Sequence, residues 1–430
     1  MNKNVFVVGF MLFAIFFGAG NLIFPPKLGF DSGVAFWPAI IGFVVTGVGL
    51  PLLGILVATF YKGGYKKALE DIHPWISLLL LGAIYLTIGP FFAIPRTAAT
   101  AFDMAVIPFI GETDPLSLFV FTFIYFAITL WVSLNPTKMV DRIGAVLTPV
   151  LLVSIIALVL KTMSALIGTE ALHTTTAMKT PLIDGFLEGY QTMDALAAFA
   201  FSVVVMNAIR AKAKKGESLT KQATMASLIA AIALALIYIS IGWIGNKMPL
   251  SAETITEVTG KGQNLGVFIL NNAAMQAFGE LGRSLLGLIV SIACLTTSIG
   301  LVVATASYFN SVFSKISYRN YAALFTLIGF GLANQGLNAV ISKSIPVLLI
   351  LYPISMTAML VLLLNLAMPL SKLARGLPIV LVTVVSILSV MGSSLVANLP
   401  FKAYSMEWLP FAVVGCVIGF VISKKQKTEA

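Results

Sequence analysis

Asp194 stands in a stretch that is otherwise apolar, Gly185-Phe-Leu-Glu-Gly-Tyr-Gln-Thr-Met-Asp-Ala-Leu-Ala-Ala-Phe-Ala-Phe201, with Gln191 and Thr192 just ahead of it. A carboxylate in such a segment is costly in hydrocarbon and is as a rule functional or paired. Its structural alternative is a cap on a local helix end. A second unusual stretch, Phe16-Phe-Gly-Ala-Gly-Asn-Leu-Ile-Phe-Pro-Pro26, interrupts the first apolar segment. Two glycines, an asparagine and a Pro-Pro pair break a helical hydrogen-bond ladder, because glycine opens the backbone and proline cannot donate. The freed N–H and C=O groups cost several kcal/mol each in lipid unless protein, water or a ligand satisfies them. Such a break either lines a site or is a kink packed on a neighbour through small residues. Arg96 lies well inside a third apolar stretch. It could close a gate with Glu188 or Asp194, form a static ion pair, or snorkel to the interface.

Free backbone groups, one carboxylate and one guanidinium can bind a small polar solute or an ion. They form no nucleophile–base pair, so an embedded enzyme is excluded. The two cysteines, Cys294 and Cys416, are far apart in apolar segments, and the two histidines, His73 and His173, fall in loops or at helix ends. Neither a disulfide framework nor a metal cluster is supported, and no bound cofactor is expected.

The elements that must position these groups are membrane helices. Of the 430 residues 59% are hydrophobic and 10% charged, with a mean hydropathy of +0.99. Soluble domains carry about 25% charged residues. The expected fold class is therefore an all-α integral membrane protein. Counting at about 20 apolar residues per span gives about twelve transmembrane helices. They run near 4–29, 34–60, 75–107, 115–134, 141–161, 182–209, 220–246, 281–314, 318–333, 338–369, 376–396 and 408–423. The longest loop, 247–280, includes an amphipathic stretch, Leu265 to Phe278, expected to form short helices on the outer face.

The net charge of +10 does not indicate nucleic acid. On this assignment most of the 27 basic residues fall on one face, among them Lys62, Lys66, Lys67, the Lys212–Lys221 loop, Lys372, Arg375 and the C-terminal tail. The positive-inside rule puts both termini in the cytoplasm, and anionic lipid headgroups of the bilayer account for the basic loops. No obligate protein partner is indicated.

The two breaks fall in spans one and six, five apart. An odd offset means that the second unit enters from the opposite side, as in an inverted five-helix repeat. Interrupted helices at corresponding positions of two halves point to a transporter site. A channel would need a ring of selective groups and, as a rule, oligomer symmetry. The repeats would cover about 4–161 and 182–369 within a transport core of 1–370, leaving 371–430 as two additional helices and a cytoplasmic tail.

At these residues the chain resembles a known family. Gly18-Ala-Gly-Asn-Leu-Ile-Phe-Pro-Pro26, Ala93-Ile-Pro-Arg-Thr-Ala98 and Gln191-Thr-Met-Asp-Ala-Leu-Ala-Ala-Phe199 are similar to segments of the bacterial branched-chain amino acid:cation symporters, and the likeness extends over nearly the whole chain. That family is assigned to the amino acid–polyamine–cation superfamily, with a LeuT-type fold of 5+5 inverted repeats and broken helices 1 and 6. Gly18-Ala-Gly-Asn21, Gly29 to Gly64 and Ala293-Cys-Leu-Thr-Thr-Ser-Ile299 also resemble the first, second and eighth helices of the neurotransmitter:sodium symporters. The resemblance implies import of leucine, isoleucine and valine across the bacterial plasma membrane with Na+ as coupling ion. A proton taken up by Asp194 is the alternative.

A zwitterionic substrate needs two kinds of partner. A helix restarting after a break offers N–H groups and a positive dipole end to a carboxylate. Here those are the N–H groups of Ala19, Gly20 and Asn21, with Gly18 and Gly20 leaving room. The ammonium would use carbonyls around Phe16, Gln191 and Thr192, with Asp194 adding a charge. Leu196, Phe199 and Leu301 are candidates for an apolar pocket, or ordinary packing residues. By resemblance, one cation site would join the carbonyls of Ala14, Phe17 and Ala293 to the hydroxyls of Thr296 and Thr297. The last three share one helix face, although threonines in membrane helices also bond their own preceding carbonyl. A second cation near Asn21 and Thr192 would need a ligand from the seventh span, and none stands out there.

Overall fold

The structure is a computed structural model that describes residues 3–112, 114–134, 138–168, 178–212 and 219–428, with backbone alone described at 3–4, 138–148, 203–205, 207–212, 219 and 423–428. Asn135-Pro136, directly after the fourth expected span, His173 and part of the Lys212–Lys221 loop lie outside the described residues.

Every regular element among the described residues is helical. The first break gives α1 (Lys3–Phe16) and α2 (Ala19–Ser32). Then come α3 (Phe36–Val44), α4 (Leu50–Thr59), α5 (Gly64–Ile72), α6 (Pro74–Leu86), α7 (Ala93–Ala105), α8 (Ile107–Ile110), α9 (Pro115–Leu134) and α10 (Lys138–Leu166). The second break separates α11 (Pro181–Glu188) from α12 (Asp194–Lys212). The remainder is α13 (Leu219–Lys247), α14 (Ala252–Gly260), α15 (Leu265–Val312), α16 (Tyr318–Ala333), α17 (Leu337–Ala367), α18 (Lys372–Val390) and α19 (Leu409–Thr428). Serines at the starts of α14, α16 and α18 and Asn264 before α15 accept the first free backbone N–H groups, as N-caps do. Among the described residues eight helical stretches can cross a membrane by length and composition, and Val5–Phe16 and Leu409–Ile422 are shorter apolar helices.

Two local expectations need correction. The Pro25-Pro26 pair does not break the first span. The interruption is at Phe17-Gly18, and both prolines lie buried inside α2. Because proline has no N–H, the carbonyls of Asn21 and Leu22 lose their helical donors, so the ladder is opened there although the helix continues to Ser32. The third span is not continuous either. A π-turn at Thr87–Phe91, with Gly89 at φ −91°, ψ −122° ahead of Pro90, divides α6 from α7. The expected outer-loop helices are present as α14 and the start of α15, where Gly279 (φ +66°) turns the chain into the long apolar part.

Packing follows from small residues. A Cβ on Gly29 of α2 would stand 1.8 Å from the Gly242 carbonyl of α13, and one on Gly245 would stand 2.0 Å from the Pro26 carbonyl. Backbones therefore touch along α2–α13, a contact that only glycine permits. The same holds for α3 and α11, where a Cβ on Gly42 would meet the Leu182 carbonyl at 2.0 Å. Both α1 and α2 pack on α13, whereas α11 packs on α3 and α12 on α4. Long α15 lies against α7, α10 and α2, and α18 packs on α19 and α17. Arg375 of α18 is tied to Asp71 of α5 at 2.8 Å.

Candidate functional site

The two breaks meet. At the first, Gly18 is extended (φ −121°, ψ −167°) and its N–H donates to the Asn21 Oδ1 at 3.0 Å. The asparagine thus caps the restart of α2 with its own side-chain oxygen. At the second, Gly189–Thr192 form a tight 3₁₀ turn, Met193 takes φ +62°, and α12 restarts at Asp194. The Thr192 hydroxyl donates to the Gly189 carbonyl at 2.9 Å and accepts from the Asp194 N–H at 3.4 Å. A left-handed methionine is strained backbone, held here by the elements around it.

Side chains from four elements close the gap between the breaks. The Asn21 amide donates to Asp194 Oδ2 at 2.5 Å and also to the Tyr238 hydroxyl, which itself donates to Asp194 Oδ2 at 3.4 Å. Arg96 from α7 reaches the second break. Its Nη1 donates to the Gln191 carbonyl at 2.5 Å and its Nη2 to the Thr192 carbonyl at 3.3 Å. The guanidinium carbon lies 5.4 Å from the Phe24 ring centroid, within cation–π range. Asn21, Arg96, Asp194 and Tyr238 are all buried. Ser344 of α17 donates to Gln191 Oε1 at 3.5 Å, and Tyr352 of the same helix stacks on Tyr190 at 4.1 Å. A buried carboxylate facing a buried guanidinium keeps the site near neutrality, and the neutral donors around Asp194 offset its lost hydration.

The expected residues fall into three groups. Gly18, Ala19, Gly20, Asn21, Gln191, Thr192 and Asp194 are gathered at the junction. Leu196, Phe199 and Leu301 are buried, but Phe199 stacks on Tyr65 at 3.9 Å, away from the junction toward α5. The residues assigned to a cation remain in two places. The hydroxyls of Thr296 and Thr297 both donate to the Ala293 carbonyl, at 2.9 and 3.0 Å, within their own turn. Ala14 and Phe17 belong to the α1 end, and α1 packs on α13 and α12 while α15 packs on α7, α10 and α2. Among the described residues no hydrogen bond joins the two sets. The pairing of Arg96 with Glu188 needs correction. Arg96 is engaged by the Gln191 and Thr192 carbonyls and by the charge of Asp194, whereas the charges acting on Glu188 are Lys27 and Asp31.

Two site residues have no counterpart in the sequence reading. Tyr238 is the contribution of the seventh span, where no ligand had stood out, and Tyr352 walls the second break. The available signal was a tyrosine in the middle of an apolar helix, since a buried phenol needs a polar partner. A separate cavity of ≈ 260 Å³ lies between the α7 end, α14 and the start of α15, lined by Asp103, Asn264, Asn271 and Arg283 among others.

Comparison with known proteins matches this geometry. Residues 1–426 match the model of a family described as branched-chain amino acid transport protein. A putative branched-chain amino acid carrier protein of Staphylococcus haemolyticus (strain JCSC1435) is 50% identical over 435 residues, covering 99% of this chain and 97% of the relative. A putative carrier of the same description from Staphylococcus aureus (strain USA300) is 48% identical, covering 98% and 97%. Among solved structures, Mhp1, a nucleobase-cation-symport-1 family transporter, is similar with a TM-score of 0.60 at 14% identity, covering 98% of this chain and 92% of that one. MhsT in complex with L-phenylalanine gives 0.59 at 16% identity, covering 96% and 98%. Both are transporters of the LeuT-type fold, and at these identities they show the fold alone. With the family matched over nearly its full length, and with transporters, not enzymes, as its relatives, this chain belongs to the branched-chain amino acid transport protein family.

Proposed function

We propose that the protein is a secondary active symporter that imports leucine, isoleucine and valine with Na+ by alternating access. The observation that carries this reading is the meeting of two broken helices around Asn21, Asp194, Tyr238 and Arg96. The substrate carboxylate binds at the N–H groups of Ala19, Gly20 and Asn21, where α2 restarts and Gly18 and Gly20 leave space. Its ammonium is held by the Gln191 and Thr192 carbonyls, with Phe16 nearby and Asp194 supplying charge. Leu196 and Leu301 bound the aliphatic side chain, with Phe199 behind them. An apolar pocket of this kind separates substrates differing by one methylene by only about 1–3 kcal/mol, so the three amino acids should compete.

The coupling Na+ sits between the carbonyls of Ala14, Phe17 and Ala293 and the hydroxyls of Thr296 and Thr297. Each hydroxyl keeps its lone pairs while donating to Ala293, so the threonine face is ready to ligate. Closing α1 onto α15 completes the site, and ligands shared between the two states link ion to substrate.

Twelve spans arranged as two inverted repeats, about 4–161 and 182–369, underlie the motion. Packing supports this: the first broken helix lies on α13 in the second repeat, and the second lies on α3 and α4 in the first. Residues 371–430 are the two additional helices and tail. The protein resides in the bacterial plasma membrane with both termini cytoplasmic, as the basic loops indicate.

A proton-coupled version of the same transporter is favoured by one observation: Asp194 already sits in a finished hydrogen-bond knot while the Thr296 and Thr297 hydroxyls are bonded within their own turn. Leucine uptake into proteoliposomes under an imposed Na+ gradient or an imposed pH gradient separates the versions. Uptake driven by Na+ and lost in Thr296→Ala with Thr297→Ala supports the first. Uptake driven by acid outside, indifferent to Na+ and uncoupled by Asp194→Asn, replaces it with the second.

A further inference from the structure

The substrate site proposed above already contains a cation. Arg96 is 4% exposed, and its two donors end on the Gln191 and Thr192 carbonyls, at 2.5 and 3.3 Å. Those are the acceptors assigned to the substrate's ammonium. On the other side, Nη2 presses on the first break, where a Cβ on Gly20 would stand 2.9 Å from it. The guanidinium therefore spans the gap between the two broken helices, over the Phe24 ring and facing Asp194. It makes the contacts with the two carbonyls that an ammonium would make, and its charge acts on Asp194.

We propose that Arg96 is a tethered stand-in for the substrate's ammonium: it holds the Gln191 and Thr192 carbonyls in the unloaded carrier, and an arriving amino acid displaces it from them. A planar guanidinium holds its donors in a fixed fork that meets both carbonyls, whereas a lysine ammonium presents its three donors from one atom on a flexible stem. The physical need is clear in the empty state. Without substrate or Arg96, two carbonyls freed by the break would be unpaired and the buried charge of Asp194 would have no counter-charge in a dry site, and each is costly. With Arg96 in place the empty site closes with its polar groups satisfied, so the carrier can return without cargo. With a zwitterion bound, the ammonium satisfies the same groups and Arg96 is not needed there. Arg96 is thus a positioning residue for the empty return, and a static cap on the second break would act equally in both states.

This inference rests on the transport reading, and the test separates the two. Full-length wild type, Arg96→Gln and Arg96→Lys are reconstituted in proteoliposomes. Labelled leucine is followed as net uptake into leucine-free vesicles under a Na+ gradient, and as counterflow into vesicles preloaded with unlabelled leucine at equal Na+. Net uptake needs an empty return, whereas counterflow does not. We expect Arg96→Gln to lose about tenfold or more in net uptake while counterflow stays within about threefold, from the unpaired groups of the empty site. Arg96→Lys, which keeps the charge but not the fork, should fall between. Net uptake and counterflow reduced by the same factor in the folded variants, or net uptake unchanged, would overturn the proposal. Should Arg96→Gln fail to fold, a wild-type ratio of net uptake to counterflow in Arg96→Lys overturns it equally. A wild type that shows neither flux instead overturns the transport reading itself.

Discussion

The substrate junction and the cation site are built to different degrees. At the junction, side chains from α2, α12 and α13 already share hydrogen bonds, and Arg96 of α7 holds the Gln191 and Thr192 carbonyls. At the proposed cation site the Thr296 and Thr297 hydroxyls bond the Ala293 carbonyl of their own turn and no other element. The difference teaches where the moving part is. A polar junction in a dry site must be satisfied at all times, or it costs more than the fold can sustain. A cation site can be taken apart cheaply when each half has an internal alternative, as a threonine hydroxyl has in its preceding carbonyl. On the proposed reading the junction is the fixed floor of the transporter and the threonine face is the coupling device.

Mutations can break or sharpen that contrast. The largest effect is expected at Asp194. Asp194→Asn removes the buried charge proposed to face the substrate's ammonium, and loss of one partner of such a charge pair costs about 2–5 kcal/mol in comparable settings. Leucine affinity measured by scintillation proximity should fall by roughly thirtyfold or more on the same estimate. Unaltered affinity would remove Asp194 from the floor. At the other region, Thr296→Ala with Thr297→Ala should weaken Na+ by about 2–3 kcal/mol, at about 1–1.5 kcal/mol per lost ligand. Leucine affinity at saturating Na+ and the melting temperature should be nearly unchanged, since these hydroxyls bond only within their turn. A variant that melts early would show that the pair holds the fold instead.

Gly29→Ala probes the frame beneath the junction. Its Cβ would lie 1.8 Å from the Gly242 carbonyl, so α2 and α13 must part. Overpacking of this kind costs about 1–3 kcal/mol, to be read as a lower melting temperature in detergent. Leucine binding should weaken with it, because Asn21 and Tyr238 ride on the two separated helices. The smallest effect is expected for Tyr238→Phe, about 1 kcal/mol for one hydroxyl, seen as a several-fold loss of leucine affinity with Na+ affinity retained. A larger loss of Na+ than of leucine affinity would put Tyr238 on the ion side of the contrast.

Much of this was legible in the chain, for reasons that are local. Gly18, Gly20 and Asn21 in one apolar helix, and Gln191, Thr192 and Asp194 in another, announce their breaks because backbone freedom and an intramembrane charge are properties of adjacent residues. What was not legible depends on distant partners. Tyr238 meets Asn21 across 217 residues and Asp194 across 44, and nothing beside it in sequence marks it from a packing aromatic. The Arg96–Glu188 pairing failed for the same reason: charge alone does not say which of two carboxylates lies across the gap, and Lys27 and Asp31 are the charges acting on Glu188. The Pro25-Pro26 pair misled because an interior proline removes a donor without always ending the helix, and α2 carries both, buried, on to Ser32. Gly89-Pro90 carried the same signal as the first break but sits in a helix read as continuous, since no charge or amide accompanies it.

The measurement that bears most directly on sodium-coupled recognition of a branched-chain amino acid is equilibrium leucine binding to purified protein, titrated at several Na+ concentrations, with choline as the replacement cation. If the two sites share the broken helix, leucine affinity should rise with Na+ by about 5–150-fold, and leucine should raise Na+ affinity by the same factor, as linkage demands. Leucine binding of equal affinity with and without Na+ would contradict the account.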